Sequence, residues 1–308
     1  MPTRKKADQN ETVSSETEDG VSARTESASS PSIYVQLIEL QTRRKFFIGL
    51  VNQQTNAAKA LVRRGMSWRY DLTEEERKKI NAAAAKQVSA VLSGKAAGSP
   101  DMMVVAQAIA PLVAQRAGVE KEMAKLVRSL PIYAWAKDVR GLGEMGLAVI
   151  LAEAGELGGY PSEAQLWKRF GLAPYGGKAY STWRKTKSGG LSADEWSDAG
   201  YKPARLAQLY GVVTEPLFRG QSASVRNPIA GRYRLVYDRR RAHTATTHAD
   251  WSKGQSHADA LRVMVKKLLR DLWRANAAIE SGRRTKPKLS NRTSEAVSAA
   301  IPLQPAGD

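Results

Sequence analysis

The chain has 308 residues, with 48 Lys and Arg against 30 Asp and Glu, and so a formal net charge of +18. An excess of that size favours partners dense in negative charge, nucleic acid first and anionic membrane second. The chain has no cysteine, which excludes structural disulfides, thiolate zinc sites and cysteine nucleophiles, and fits a cytoplasmic setting.

Residues 1–31 carry almost no large apolar side chains and read as a disordered tail. Arg4, Lys5 and Lys6 precede no apolar run, so no secretory signal is read there. Nor does any window reach the roughly 18 consecutive apolar residues of a membrane span, so no membrane partner is expected. From Ser32, apolar residues recur at helical spacing to about Gly65, decorated by Arg43, Arg44 and Lys45. Thr73 with Glu76 forms a capping box for a second helix ending near Gly94. Asp101 reads as the N-cap of a third helix, Pro111 as its kink or break, and a fourth helix runs from Val119 to about Leu130. Residues 32–138 thus read as an antiparallel helical arm, a bundle or coiled coil.

Next comes Gly141-Leu142-Gly143, two glycines flanking one apolar residue with helical sequence on both sides. Such a pair permits a very tight turn, with Leu142 pinned to a core. The amides of Gly143, Glu144 and Met145 would then start the next helix unpaired, a suitable cradle for one phosphate. This is the pattern of a helix-hairpin-helix, which grips nucleic-acid backbone without reading bases. Asp138, Glu144, Glu153 and Glu156 surround it and read as helix-end residues.

Ser162 caps a short helix, and a loop follows in which Lys178, Arg184, Lys185 and Lys187 alternate with Tyr175, Tyr180 and Trp183. Cations for phosphate and rings for bases are what a nucleic-acid surface requires. Residues 199–212 read as a helix with Arg205 exposed, then a linker. Asn227-Pro228 reads as the start of a helix rich in arginine, and a second linker holds the three histidines. Ser256 with Asp259 opens a long helix whose Arg262, Lys266, Arg270 and Arg274, spaced by four, form one basic stripe. Residues 213–280 are therefore a basic helical pair, and 281–308 a second disordered tail. His243, His248, Asp250, His257 and Asp259 match no common metal spacing, so neither metal nor cofactor is expected. Ser181, Ser188 and Ser192 have no histidine nearby in sequence to serve as a base. No succession of strands is present, and the fold class expected is all-α.

The run from Val139 to Pro174, with Gly-Leu-Gly at its start and Gly-Leu-Ala-Pro at its end, resembles the C-terminal, helix-hairpin-helix domain of the insertion-sequence-110 transposase family. The resemblance loosens towards residue 212, giving a domain over 139–212. The helices of 32–138 look like the coiled-coil linker that precedes the hairpin in that family, and the helix near 256–280 is similar to its closing helix. The family's RuvC-like nuclease half, with its acidic metal ligands, has no counterpart here. Tyr175 stands where the family's serine is expected, and Ser181 is the nearest stand-in. The resemblance implies a protein that binds DNA, with RNA as a further partner, works as a homo-oligomer, and acts in or derives from transposition of a mobile element. Two other readings remain open: an active recombinase using Ser181 or Tyr175, and a structural helical protein with no nucleic-acid role.

Overall fold

A computed structural model describes residues 31–174, 194–195 and 200–282. The protein is all-α, with no strand among the described residues. The tails at 1–30 and 283–308, and the basic loop with Tyr175, Lys178, Tyr180, Ser181, Trp183, Arg184, Lys185 and Lys187, lie outside them.

Three long helices open the fold: α1 (Ile33–Gly65), α2 (Glu74–Leu92) and α3 (Pro100–Arg128). Ser32 caps α1, its hydroxyl accepting from the Val35 amide. Thr73 and Glu76 close the expected capping box on α2. The third start differs from expectation. Ser99 is the N-cap, with Pro100 in the first turn and Asp101 behind it. Proline at the first helical position loses no hydrogen bond, so the Ser-Pro pair outcompetes Asp101. Nor does Pro111 end the helix: α3 runs on to Arg128 as one piece. Pro111 and Gln107 both face solvent, so water can reach the carbonyl that the proline leaves unbonded.

Helices α1 and α3 span two cores. The outer one gathers Ala58 and Val62 of α1, Ala84, Val88 and Val91 of α2, and Met102 of α3. The inner one takes the other ends, Leu37 and Leu40 of α1 with Val119, Met123 and Val127 of α3. Around these pack α4 (Tyr133–Ala136), α5 (Gly143–Ala154), a 3-10 turn (Leu157–Gly159) and α6 (Glu163–Arg169). Helix α5 is the centre: every residue from Gly146 to Ala154 is buried.

The remaining helices share that inner core. The expected linker after residue 212 is absent, because α7 (Pro203–Gln208) passes through a π-helical stretch (Leu209–Thr214) directly into α8 (Glu215–Gln221). Pro216 lacks the amide that would bond the Val212 carbonyl, and a widened turn ahead of it keeps the helix continuous. Helix α9 (Arg232–Thr247) starts after Gly231 rather than at Asn227-Pro228, which sits in a turn closed by Ser224. Helix α10 (Lys253–Glu280) is capped by Ser252 and Gln255 as a capping box, four residues ahead of the expected Ser256. Ser256 and Asp259 are instead buried inside α10. The histidines occupy no linker: His243 lies in α9, His248 caps its end, and His257 lies in α10 with Nδ1 2.6 Å from the Tyr237 hydroxyl.

Candidate nucleic-acid interface

The hairpin is present, formed by α4, the turn after it and α5. Leu142 is buried and its amide donates to the Val139 carbonyl at 3.0 Å, tightening the turn. Its three glycines do different work. Gly141 has φ +88, and a Cβ there would meet the Pro216 carbonyl oxygen at 2.7 Å, so this residue seats the turn on α8. Gly146 leaves room for the Leu142 side chain, 3.0 Å from where its own Cβ would stand. Gly143 has φ +62 and only open space where a side chain would go.

Gly143 is exposed, and the amides of Gly143, Glu144 and Met145 meet no acceptor among the described residues. Met145 is half-buried, its side chain packed on the inner core. The Glu144 carboxylate is drawn aside. Arg128 grips it with two hydrogen bonds of 2.6 and 2.7 Å, and the Tyr133 hydroxyl adds a third at 3.0 Å. Those Arg128 hydrogen bonds hold the carboxyl below the ordinary glutamate range. Arg128 still has donors left over, because a guanidinium carries five and two are engaged.

Sequence reading missed that the end of α3 borders this mouth. Lys125 and Arg128 are exposed and three residues apart on one helix face, and Arg128 reaches the start of α5. Lys137, exposed in the turn itself, has no charged partner among the described residues. The i, i+3 spacing on α3 was legible, but its proximity to the hairpin depends on tertiary packing. Asp138, also exposed on the turn, is the one acid there without a partner among the described residues.

The basic stripe of α10 has a different setting from the one expected. Arg262 donates to Asp259 at 2.6 Å, and Arg240 of α9 binds the same carboxylate. Lys266 lies 4.3 Å from the Trp167 ring centroid, and burial, then Arg262, pushes its pKa down. Arg270 sits 4.0 Å from Asp271, and Arg274 donates to Glu163 at 3.1 Å. These side chains tie α10 to α9 and α6 and, Arg274 apart, are half-buried. Arg205, expected at the surface, is 4 % exposed, its guanidinium donating to the Arg169 carbonyl at 2.9 Å. Arg239 on α9 is exposed and has no partner among the described residues.

Burial raises the Asp259 pKa, but hydrogen bonds from Arg240 and then Arg262 outweigh it and hold the carboxyl below its ordinary value. A lowered folded pKa means stability that is present above the unfolded value, about 3.9, and is lost as pH falls through the folded one. Asp259→Asn is therefore expected to melt earlier than wild type at pH 7, with the gap narrowing below pH ~4. Thermal melts of both proteins at several pH values check this; a gap independent of pH would show that the pair contributes no linked stability.

No three His, Asp or Glu side chains gather as metal ligands among the described residues. Comparison with protein families, curated proteins and solved structures completes the description of the site. No family matches the chain, and no curated protein or solved structure does either. The fold and the hairpin rest on their own geometry.

Proposed function

We propose that the protein binds nucleic acid, DNA in the first place, by its sugar–phosphate backbone at the start of α5, and that it acts in or derives from transposition or recombination of a mobile element. The observation that carries the binding is the open start of α5. Three unpaired amides begin at a positive-φ glycine, flanked by Lys125, Arg128 and Lys137. A helix start with free donors and a partial positive charge suits a phosphate oxygen, and basic side chains beside it lengthen the contact along the strand. No part of this arrangement reads bases, so binding is expected to be indifferent to sequence. The net charge of +18 supports the reading, and the resemblance over residues 139–174 supplies the link to DNA mobility.

Titration of labelled duplex across a salt series tests it. Affinity should fall steeply with salt, and changing Lys125 and Lys137 together to Gln should reduce the log–log slope by about 2. Gly143→Asp places a carboxylate in open space at the mouth, in a conformation that Asp tolerates. It is expected to weaken binding about tenfold more than the uncharged Gly143→Asn, one charge beside a phosphate corresponding to ~1.4 kcal/mol or more. Absence of binding at low salt, or equal affinity of the Asp and Asn variants, would remove the proposal.

A further inference from the structure

Helix α3 has an outer face with no partner. From Met102 to Gln115 it carries no charged residue, and it is long and apolar enough to cross a membrane, with only 11 % of its most apolar window buried. Its inner side packs on α1 and α2 through Met102 and Ile109. Outside stand Met103, 45 % exposed, and Val104, 65 % exposed, followed by exposed Gln107, Ala114, Ala117 and Gly118. Positions 103/104, 107, 110/111, 114 and 117/118 alternate by three and four, the spacing of a two-helix seam.

We propose that this face is the docking surface for a second copy of the chain, with the two α3 helices antiparallel about a two-fold axis between Ala110 and Pro111. Three features of the sequence along the helix assign that arrangement. Side-chain size is self-complementary about this point: Met103 comes opposite Gly118, Val104 opposite Ala117 and Gln107 opposite Ala114. Charge is complementary as well. Asp101 at one end comes level with Lys121 of the second copy at the other, and the symmetry makes that pair twice. Asp101 and Lys121 are both exposed and have no partner among the described residues. A parallel pair would instead set Asp101 against Asp101, Met103 against Met103 and Gly118 against Gly118. Finally, lipid is a poor occupant. Helix α1 lies against α3 and carries Lys59, Arg63 and Arg64 at that end, so entry of α3 into hydrocarbon would take these charges with it.

The chain has no cysteine of its own, so introduced thiols report only on themselves. Ala110→Cys, next to the axis, is expected to form a disulfide-linked dimer of the full-length protein under mild oxidation. Met103→Cys alone should not, since its two copies would lie about 22 Å apart along the seam. The double variant Met103→Cys with Gly118→Cys should cross-link again. In sedimentation equilibrium, Ala117→Glu should weaken the dimer at least tenfold while its circular dichroism melt stays that of the wild type. Asp101→Lys and Lys121→Asp should each weaken it, and together restore it. A wild-type monomer, cross-linking by Met103→Cys alone, or flotation of the wild type with uncharged lipid vesicles that Ala117→Glu abolishes would each overturn the proposal.

Discussion

Gly141→Ala is expected to destabilise the protein by about 3–5 kcal/mol, lowering its melting temperature by on the order of 10 °C. Two terms add. At φ +88 a side chain strains the backbone, at about 1–2 kcal/mol. The new Cβ would also stand 2.7 Å from the Pro216 oxygen and 3.0 Å from the Cα atoms of Leu217 and Gly220. All three are backbone atoms of α8 and cannot rotate away, so the turn or the helix must move, at roughly 1–3 kcal/mol. Gly220→Ala should behave alike, since its Cβ would lie 2.5 Å from the Gly141 Cα. Gly143→Ala meets no atom and retains only the strain of its φ. Displacing the turn also disturbs Gln221, 4 % exposed, whose amide donates to the Arg140 carbonyl at 2.7 Å while its oxygen accepts from the Tyr233 amide at 3.3 Å. Urea unfolding of the three alanine variants is the check. Equal losses at Gly141 and Gly143 would mean that the approach of α8 is not what constrains the turn. The contrast also sets which glycine can test nucleic-acid binding, because a variant at Gly141 loses the fold before it loses a ligand.

In sequence the two glycines are alike, and this marks how far the chain could be read without coordinates. Features set within a few residues were legible: the Thr73–Glu76 capping box, the start of α1 at Ser32, and the tight turn around Leu142. Where two capping candidates lay within a turn or so of each other, local chemistry did not choose between them. Ser99 prevailed over Asp101, and Ser252 over Ser256. The role of Gly141 is decided by Gly220, far along the chain, and the burial of Arg205 by carboxylates and carbonyls from other helices. Arg44 was read among surface charges on α1, yet it is buried against Glu120 of α3 and Gln208 of α7. The stripe on α10 was correct as a spacing. Its acids and the Trp167 ring, which turn most of it inward, come from α9, α6 and α10 itself.

Glu153→Gln is the second large effect expected, about 3–5 kcal/mol, from the loss of one partner of a buried ion pair. Glu153 lies near the end of α5, 7 % exposed, at a junction of several helices. One carboxylate oxygen accepts from Gln41 at 3.0 Å and pairs with Lys45, both on α1. The other lies 3.6 Å from the Arg205 guanidinium of α7, and the Glu153 carbonyl accepts from Arg169 at 3.1 Å. Burial, then Arg169, pushes the Arg205 pKa down, and the charge of Glu153 works against both. Glutamine keeps the shape and removes that charge, leaving a guanidinium buried beside a second one. Lys45 reaches water and can be solvated once its partner is gone, so most of the loss falls on Arg205. Glu153→Gln combined with Arg205→Gln should therefore recover a substantial part of the stability, a coupling that a double-mutant cycle in urea measures directly. Additive losses would show that Glu153 serves Gln41 and the packing of α1 alone. The coupling matters for the hairpin because α5 carries the junction at one end and the open amides at the other. A helix held rigidly at Glu153 keeps the donors at Gly143 in place without help from a ligand.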